Sequence, residues 1–364
     1  MNVLLFFAGL AALVAGADLL VRGASKIALS FGVSPLVVGL TIVAFGTSAP
    51  ELAVSVGAAL DGKADIAVGN VVGSNIFNVL FILGAAALIT PLIVNVQLIR
   101  QEVPIMIAAS VLLIAMTLFD GVLSRLDGAV LFVLLIVYVV FLIVQSRRQT
   151  LAAKSEFEDQ MPADSRWDRH WWVQGLLVVA GLVLLVLGSG WLIDTAIIFA
   201  KMLGVSDVVI GLTVVAAGTS LPEVATSISA AINGERDIAV GNVVGSNTFN
   251  ILGCLGLASI AAPGGVPVAA SMLHMDVWVM LAAAVACLPV FMRAREISRW
   301  EGAVFLLYYV AYAMYLILVA QRHAALPLFS QTMIWFVIPL TVLTMLLMFV
   351  RTRRNVVSHG PRQS

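Results

Sequence analysis

The stretch GVSPLVVGLTIVAFGTSAPELAVSVGAALDGKADIAVGNVVGSNIFN, residues 32–78, occurs a second time at residues 204–250. The second copy reads GVSDVVIGLTVVAAGTSLPEVATSISAAINGERDIAVGNVVGSNTFN and matches the first at 32 of 47 positions, with a constant offset of 172. Weaker matches upstream, such as Gly9 with Gly181, give the first apolar segment a counterpart as well. The pattern therefore indicates an internal duplication that sets the fold.

The composition indicates a membrane protein. Hydrophobic residues make up 61% of the 364 residues and charged residues 11%, whereas a soluble domain has roughly 25% charged residues. A transmembrane helix needs roughly 20 predominantly apolar residues, and hydropathy predicts eleven such spans. They lie near 3–21, 33–59, 66–89, 104–119, 126–145, 173–199, 207–232, 238–262, 273–292, 302–320 and 332–350. We therefore predict an all-α polytopic membrane protein, and the formal net charge of zero gives no basic surface for nucleic acid.

The duplication divides these spans into two repeats of five. The predicted regions are a first repeat (1–145, motif 39–78), a cytoplasmic loop (146–172), a second repeat (173–320, motif 211–250), and an eleventh span with an Arg-rich tail (321–364). Because five is odd, the second repeat enters the membrane in the opposite sense to the first. Inverted repeats with a binding site at the midplane are an architecture of secondary transporters.

The distribution of positive charge predicts the orientation. With the N-terminus outside and the C-terminus in the cytoplasm, 16 of the 20 lysines and arginines fall in cytoplasmic segments. Cytoplasmic loops are enriched in these residues, so we expect this orientation.

Proline and glycine predict a break inside the second span. Pro50 lacks an N–H, and Gly46 lies four residues before it, so we expect the helix to break and to free carbonyls around Ala44 to Thr47. The second copy has the same pattern at Gly218 and Pro222, with carbonyls around Ala216 to Thr219. Irregular backbone at membrane depth is tolerated where it is buried in protein or lines a cavity.

Polar side chains gather on the helices that flank the break. Glu51 shares a helix face with three hydroxyl residues, and the next span carries three polar residues at a spacing of four. The first-copy residues are Thr47, Ser48, Glu51, Ser55, Asn70, Ser74 and Asn78; the second-copy residues are Thr219, Ser220, Glu223, Ser227, Asn242, Ser246 and Asn250. Two intramembrane carboxylates indicate a functional site, and an all-oxygen set favours hard cations such as Ca²⁺.

Other features have simpler interpretations. Gly69 and Gly73, like Gly241 and Gly245, have the GxxxG spacing that allows close helix packing. Asp18, Asp194 and Asp276 have no acidic counterpart at the offset of 172, and His274 has no histidine there; all four are interpreted as interfacial. Cys254 and Cys287 are interpreted as packing residues.

Enzymes and channels are alternative readings of the buried polar groups. The sequence has no GxSxG or HExxH motif, so an intramembrane enzyme is disfavoured and no prosthetic group is expected. A channel would pass Ca²⁺ without a counter-ion gradient. Inverted repeats around a closed midplane site favour an alternating-access transporter over a channel.

GTSAPE with GNVVGSNIFN, and GTSLPE with GNVVGSNTFN, resemble the alpha-1 and alpha-2 repeats of sodium/calcium exchangers in the calcium/cation antiporter superfamily. The short 146–172 loop resembles the prokaryotic type. The resemblance implies a ten-helix inverted-repeat fold with ions bound between the second, third, seventh and eighth helices. It also implies alternating access by sliding of the first and sixth helices.

The resemblance further implies particular ion ligands. Glu51 and Glu223 would bind Ca²⁺ together with the carbonyls of Thr47 and Thr219. Sodium would use the same glutamates with the hydroxyls or carbonyls of Ser48, Ser74, Ala44, Ser220, Ser246, Thr219 and Ala216. Many family members have an aspartate where this chain has Asn78 or Asn250, and we include both asparagines in the predicted metal site.

The expected function is therefore exchange of Na⁺ for Ca²⁺ across the cell (inner) membrane. Two glutamates neutralise one Ca²⁺ but leave three Na⁺ with a net charge of +1, which predicts electrogenic exchange. An aspartate associated with K⁺ dependence in related exchangers is missing, which predicts K⁺ independence. A H⁺/Ca²⁺ antiporter on the same fold remains the alternative, because buried carboxylates can also carry protons, and the oligomeric state is left open.

Overall fold

The computed structural model describes residues 2–157, 170–202, 216–293 and 295–344. Its helices are α1 (Asn2–Phe31), α2a (Pro35–Thr47), α2b (Ala49–Leu60), α3 (Ala64–Ile89), α4 (Leu98–Thr117), α5 (Arg125–Phe157), α6 (Trp171–Met202), α7a (Ala216–Thr219), α7b (Leu221–Ile232), α8 (Arg236–Ala261), α9 (Met272–Met292), α10 (Arg299–Ala320) and α11 (Leu326–Thr344). Four two-residue strands complete it: β1 (Leu92–Ile93), β2 (Val122–Leu123), β3 (Val266–Pro267) and β4 (Glu296–Ile297).

The prediction of an all-α polytopic membrane protein is confirmed. In the described ranges, nine helices are long and apolar enough to cross a bilayer, and the bent pair α2a–α2b makes a tenth span. Residues 207–215 of the predicted 207–232 span lie outside the described residues, and α7a and α7b form its described remainder.

Some helices extend further than hydropathy predicts. The first span was predicted to end at residue 21, but α1 continues to Phe31. Arg22 and Lys26 lie within this helix and do not interrupt it. Gly32 follows with a φ of 61°, a conformation that glycine adopts readily and that ends the helix. The charged residues therefore do not mark the end of this helix.

Two antiparallel strand pairs join the repeats at their loops. β1 of the first repeat pairs with β4 of the second, and β2 pairs with β3. Corresponding strands are 174 residues apart, whereas α3 and α8 begin and end 172 residues apart. Two extra residues therefore lie between α8 and β3, where Gly265 turns with a φ of 77°.

Glycine contacts interleave the two repeats. A Cβ at Gly128 on α5 would lie 2.6 Å from the carbonyl oxygen of Gly256 on α8. A Cβ at Gly302 on α10 would lie 2.6 Å from the carbonyl oxygen of Gly84 on α3. Each contact joins a helix of one repeat to a helix of the other.

The pair α1–α6 is packed in the same way. A Cβ at Gly9 would lie 2.9 Å from the carbonyl oxygen of Gly188, and one at Gly16 would lie 2.8 Å from that of Gly181. Gly9 matches Gly181 in sequence but contacts Gly188, and Gly181 contacts Gly16. The contacts therefore run in opposite directions along the two helices, so α1 and α6 pack antiparallel. Small residues at such contacts let membrane helices approach closely.

This contact predicts that Gly181→Ala destabilises the protein. The new methyl group would meet backbone atoms of Leu20 and Gly16 at 2.7 and 2.8 Å, and overpacking of this kind typically costs about 1–3 kcal/mol. We expect the melting temperature of the detergent-purified protein to fall by several degrees. Gly175→Ala on the same helix is the matched control, since no described atom lies within 4 Å of its Cβ position. Equal melting temperatures for the two variants would contradict tight α1–α6 packing.

A candidate cation site between the two repeats

The two helix breaks occur at equivalent serines. Ser48 separates α2a from α2b, which are bent by 47°, and has φ −81° and ψ 7°. Ser220 separates α7a from α7b with nearly the same angles, φ −89° and ψ 9°. Pro50 and Pro222 lie in the first turn of the helices that resume. The predicted breaks are thus confirmed, and each falls two residues before its proline.

The glycines near the breaks make room for α6. A Cβ at Gly46 would lie 2.5 Å from Leu182, and one at Gly218 would lie 2.4 Å from Ile193. Both partners are on α6, so these glycines allow close packing as well as lying in the last turn before each break.

The carbonyl of Ala44 differs from the expectation. It accepts the N–H of Ser48 at 3.0 Å and so keeps its helical hydrogen bond, because the missing proline N–H lies two residues further along. The prediction that this carbonyl is freed by the break was wrong, although a carbonyl oxygen has a second lone pair. Ala216, its counterpart, is the first residue of α7a.

The two glutamates lie together at the interface of the repeats. Both are fully buried. Ser220 Oγ donates to Glu51 Oε1 at 2.8 Å, and Ser48 Oγ donates to Glu223 Oε1 at 3.0 Å. Each carboxylate is therefore held by the break serine of the other repeat.

Several oxygens at this interface have no hydrogen-bond partner among the described residues. They are Glu51 Oε2, Glu223 Oε2, Asn78 Oδ1 and Ser246 Oγ. Ser74 Oγ lies 3.1 Å from Ser220 Oγ, which brings the third helix to the same point. Buried polar atoms are ordinarily satisfied, so this set of acceptors indicates a site for a ligand that accepts lone pairs.

Threonines and asparagines surround the carboxylates. Thr47 Oγ1 donates to Asn242 Oδ1 at 3.1 Å, and Thr219 Oγ1 donates to Asn70 Oδ1 at 3.3 Å. The amide nitrogens point the other way, to Ser227 Oγ at 2.9 Å and Ser55 Oγ at 3.0 Å, respectively. The threonine contacts connect helices of opposite repeats, and the contacts of the amide nitrogens connect helices within one repeat.

Two further asparagines were missed by the sequence reasoning. Asn75 and Asn247 each donate to the backbone carbonyl of the other at 3.2 Å. Asn78 Nδ2 also donates to Asn247 Oδ1 at 3.0 Å, and Asn250 Nδ2 donates to Asn75 Oδ1 at 3.1 Å. The sequence does contain a signal for them, because both copies have an asparagine three residues before Asn78 or Asn250.

Two other carboxylates, the buried Glu102 and the half-buried Asp276, are paired with tyrosines. Tyr138 donates to Glu102 at 2.7 Å, joining α5 to α4, and Tyr312 donates to Asp276 at 2.8 Å, joining α10 to α9. Glu102 and Asp276 are 174 residues apart, as are their tyrosines. Asp276 therefore has an acidic counterpart, which the fixed offset of 172 concealed.

The two buried carboxyl groups have no protein counter-ion among the described residues. Neither Glu51 nor Glu223 forms an ion pair with a lysine, arginine or histidine in the described ranges. The same ranges contain no cluster of three or more His, Cys, Asp and Glu side chains, so two carboxylates with neutral oxygens characterise the site. Such a set suits a hard cation.

Comparison with known proteins agrees with this geometry. The profile of the sodium/calcium exchanger protein family matches residues 1–144 and 173–318. The putative antiporter CaxA of Alkalimonas amylolytica is 40% identical, covering 84% of this chain and 95% of the relative. The sodium/calcium exchanger MaX1 of Methanosarcina acetivorans is 35% identical, covering 86% and 98%. The inner membrane protein YrbG of Escherichia coli is 39% identical, covering 71% and 80%.

The fold matches solved structures of the sodium-calcium exchanger NCX_Mj. One of them, soaked with 10 mM Na⁺ and 10 mM Sr²⁺, gives a TM-score of 0.71 at 31% identity and covers 88% of this chain and 97% of the other. The chain therefore belongs to the sodium/calcium exchanger family, and it is a multi-pass membrane antiporter of Ca²⁺ and another cation, not an enzyme.

Proposed function

We propose that this protein exchanges Na⁺ for Ca²⁺ at one site between the repeats, electrogenically and without K⁺. Glu51 and Glu223 would bind Ca²⁺ with the Thr47 and Thr219 carbonyls. The Na⁺ sites would use the same glutamates with oxygens of Ser48, Ser74, Ala44, Ser220, Ser246, Thr219 and Ala216. Asn78 and Asn250 would contribute amide oxygens.

The proposal rests on the burial and the hydrogen bonding of the two carboxylates. Each is fully buried and has one oxygen held by a serine and one oxygen without a described partner. Charge in the bilayer core costs several kcal/mol, and bound cations offset this cost. One Ca²⁺ neutralises two carboxylates, whereas three Na⁺ leave a net charge of +1.

The neutral oxygens favour Na⁺ over H⁺ as the counter-ion. A proton needs only a carboxylate oxygen, whereas a sodium ion must replace several water ligands with protein oxygens. Ser74 Oγ lies 3.1 Å from the serine that holds Glu51, and the buried Ser246 Oγ has no partner among the described residues. Both hydroxyls would supply such oxygens. The names of MaX1 and NCX_Mj, both sodium/calcium exchangers, point the same way.

The orientation we propose places the N-terminus outside and the C-terminus in the cytoplasm of the inner membrane. Pairing of β1 with β4 puts the α3–α4 and α9–α10 loops at one face. Arg293, Arg295 and Arg299 flank β4, and cytoplasmic loops are enriched in such residues. The relative YrbG is an inner membrane protein.

We infer that α1 and α6 move together against the rest of the protein during alternating access. Their glycine contacts make them a tight pair, and α6 also packs on Gly46 and Gly218 at the two breaks. Movement of this pair would therefore change access at both breaks, next to the serines that hold the carboxylates.

Reconstitution in liposomes tests the counter-ion. Vesicles loaded with Na⁺ are diluted into Na⁺-free buffer, and ⁴⁵Ca²⁺ uptake is followed with the pH equal on both sides. We expect uptake under this gradient, no stimulation by K⁺, and no uptake under a pH gradient alone. Uptake driven only by the pH gradient would instead establish H⁺/Ca²⁺ exchange.

A further inference from the structure

We propose that Asn75 and Asn247 are positioning residues that fix the amide orientation of Asn78 and Asn250, so that an oxygen and not an NH₂ group faces the cations. This inference rests on the proposed function of the site, because it concerns two of the residues proposed as ligands. The test below separates its failure from failure of the site.

The orientation follows from a chain of directional hydrogen bonds. The carbonyl oxygen of Asn75 can only accept, so the Asn247 group that lies 3.2 Å from it must be Nδ2. Asn247 Oδ1 then points the other way and can only accept, so the Asn78 atom 3.0 Å from it must also be Nδ2. This leaves Asn78 Oδ1 on the opposite side of its amide, buried and without a partner among the described residues.

The same chain runs in the reverse direction through the other repeat. Asn75 Nδ2 donates to the carbonyl of Asn247 at 3.2 Å, and Asn75 Oδ1 accepts from Asn250 Nδ2 at 3.1 Å. Among the described residues, Asn250 Oδ1 accepts a hydrogen bond only from the weak thiol donor of Cys254, at 3.6 Å. Each positioning asparagine thus acts on a proposed ligand in the other repeat: Asn247 acts on Asn78, and Asn75 acts on Asn250.

The chain matters because an amide can rotate. If the Asn78 amide flipped, its oxygen would face Asn247 Oδ1. Its two N–H donors would then face the cations and repel them. Loss of Asn247 would remove the group that prevents this flip while leaving Asn78 in place. Groups that orient metal ligands typically contribute about 10–100-fold in metal affinity.

A double-mutant cycle on the apparent KM for Ca²⁺ tests the proposal, with Na⁺-loaded proteoliposomes as the assay. We expect Asn247→Ala and Asn78→Leu each to raise this KM by about tenfold or more. Because Asn247 acts through Asn78, the double variant should be no worse than Asn78→Leu alone, and maximal rates should change less than twofold. The mirrored pair Asn75→Ala and Asn250→Leu gives a second cycle if one variant fails to fold.

The outcomes are distinct. Additive effects in the cycle, or an unchanged KM in Asn247→Ala, would overturn the positioning role while leaving the site intact. An unchanged KM in Asn78→Leu would instead show that Asn78 is not a ligand, which contradicts that part of the proposed function. Met280→Leu is the control, since it removes only the 3.6 Å contact of Sδ with Asn75 Nδ2, and we expect its KM to stay within twofold of wild type.

Discussion

Glu51→Gln and Glu223→Gln should each lower Na⁺-driven ⁴⁵Ca²⁺ uptake by about 100-fold or more. Each change removes one of two negative charges from a site that has no protein cation in the described ranges, so a bound Ca²⁺ would keep an uncompensated positive charge. Breaking a buried ion pair costs about 3–5 kcal/mol, and each 1.4 kcal/mol is about tenfold. Glutamine keeps the side-chain volume and one oxygen, so the loss reports on charge.

Glu102→Gln is the matched control for this prediction. Glu102 is also a fully buried carboxylate in a membrane helix, but it accepts hydrogen bonds from Tyr138, Gln97 and Gln101 and belongs to the α4–α5 contact. We expect this variant to keep exchange within a few-fold of wild type. Wild-type rates in Glu51→Gln or Glu223→Gln, with folded protein in the vesicles, would refute the site.

Membrane potential should change the Ca²⁺ gradient that the wild-type protein reaches at equilibrium. If three Na⁺ leave as one Ca²⁺ enters, each cycle moves one positive charge outward. One charge moving through 100 mV corresponds to about 2.3 kcal/mol, which is about a 50-fold change in the Ca²⁺ ratio. An inside-positive potential should therefore raise Ca²⁺ accumulation by about that factor, and an inside-negative potential should lower it.

Ionophore-clamped vesicles at fixed Na⁺ concentrations provide the measurement. Vesicles clamped at zero potential supply the reference, and empty vesicles correct for leak. A Ca²⁺ ratio that does not respond to potential would indicate an electroneutral exchange, such as two monovalent cations for one Ca²⁺, and would reject the proposed electrogenicity.

The sequence predicted the main features of the fold because the repeat is long and its polar residues are unusual. A carboxylate and a proline next to each other in an apolar span have few explanations, and their second copy makes the pairing of Glu51 with Glu223 expected. The structure brings these residues together as the faces of the predicted helices require. Whether they bind the ions stays a prediction for the uptake assays.

The parts that the sequence did not reveal depend on geometry between helices. The asparagine chain through Asn75 and Asn247 arises because α3 and α8 approach closely, which periodicity within one helix does not show. The pairing of Asp276 with Tyr312 mirrors that of Glu102 with Tyr138 only after two residues are inserted before β3. The carbonyl of Ala44 keeps its hydrogen bond because the break falls at Ser48, a detail of local backbone angles.

The interleaving of the repeats has a consequence for how such a protein could arise and fold. α5 packs on α8 at Gly128 and Gly256, and α3 packs on α10 at Gly84 and Gly302. A single repeat would therefore leave uncovered the surfaces of two of its helices that pack on the other repeat. A one-repeat ancestor would have to pair with an oppositely inserted copy of itself, through a self-complementary interface of the kind seen in symmetric dimers. In the present chain, α3 and α5 are synthesised before their partners. They must cross the membrane first and find their final neighbours only when the second half has been made.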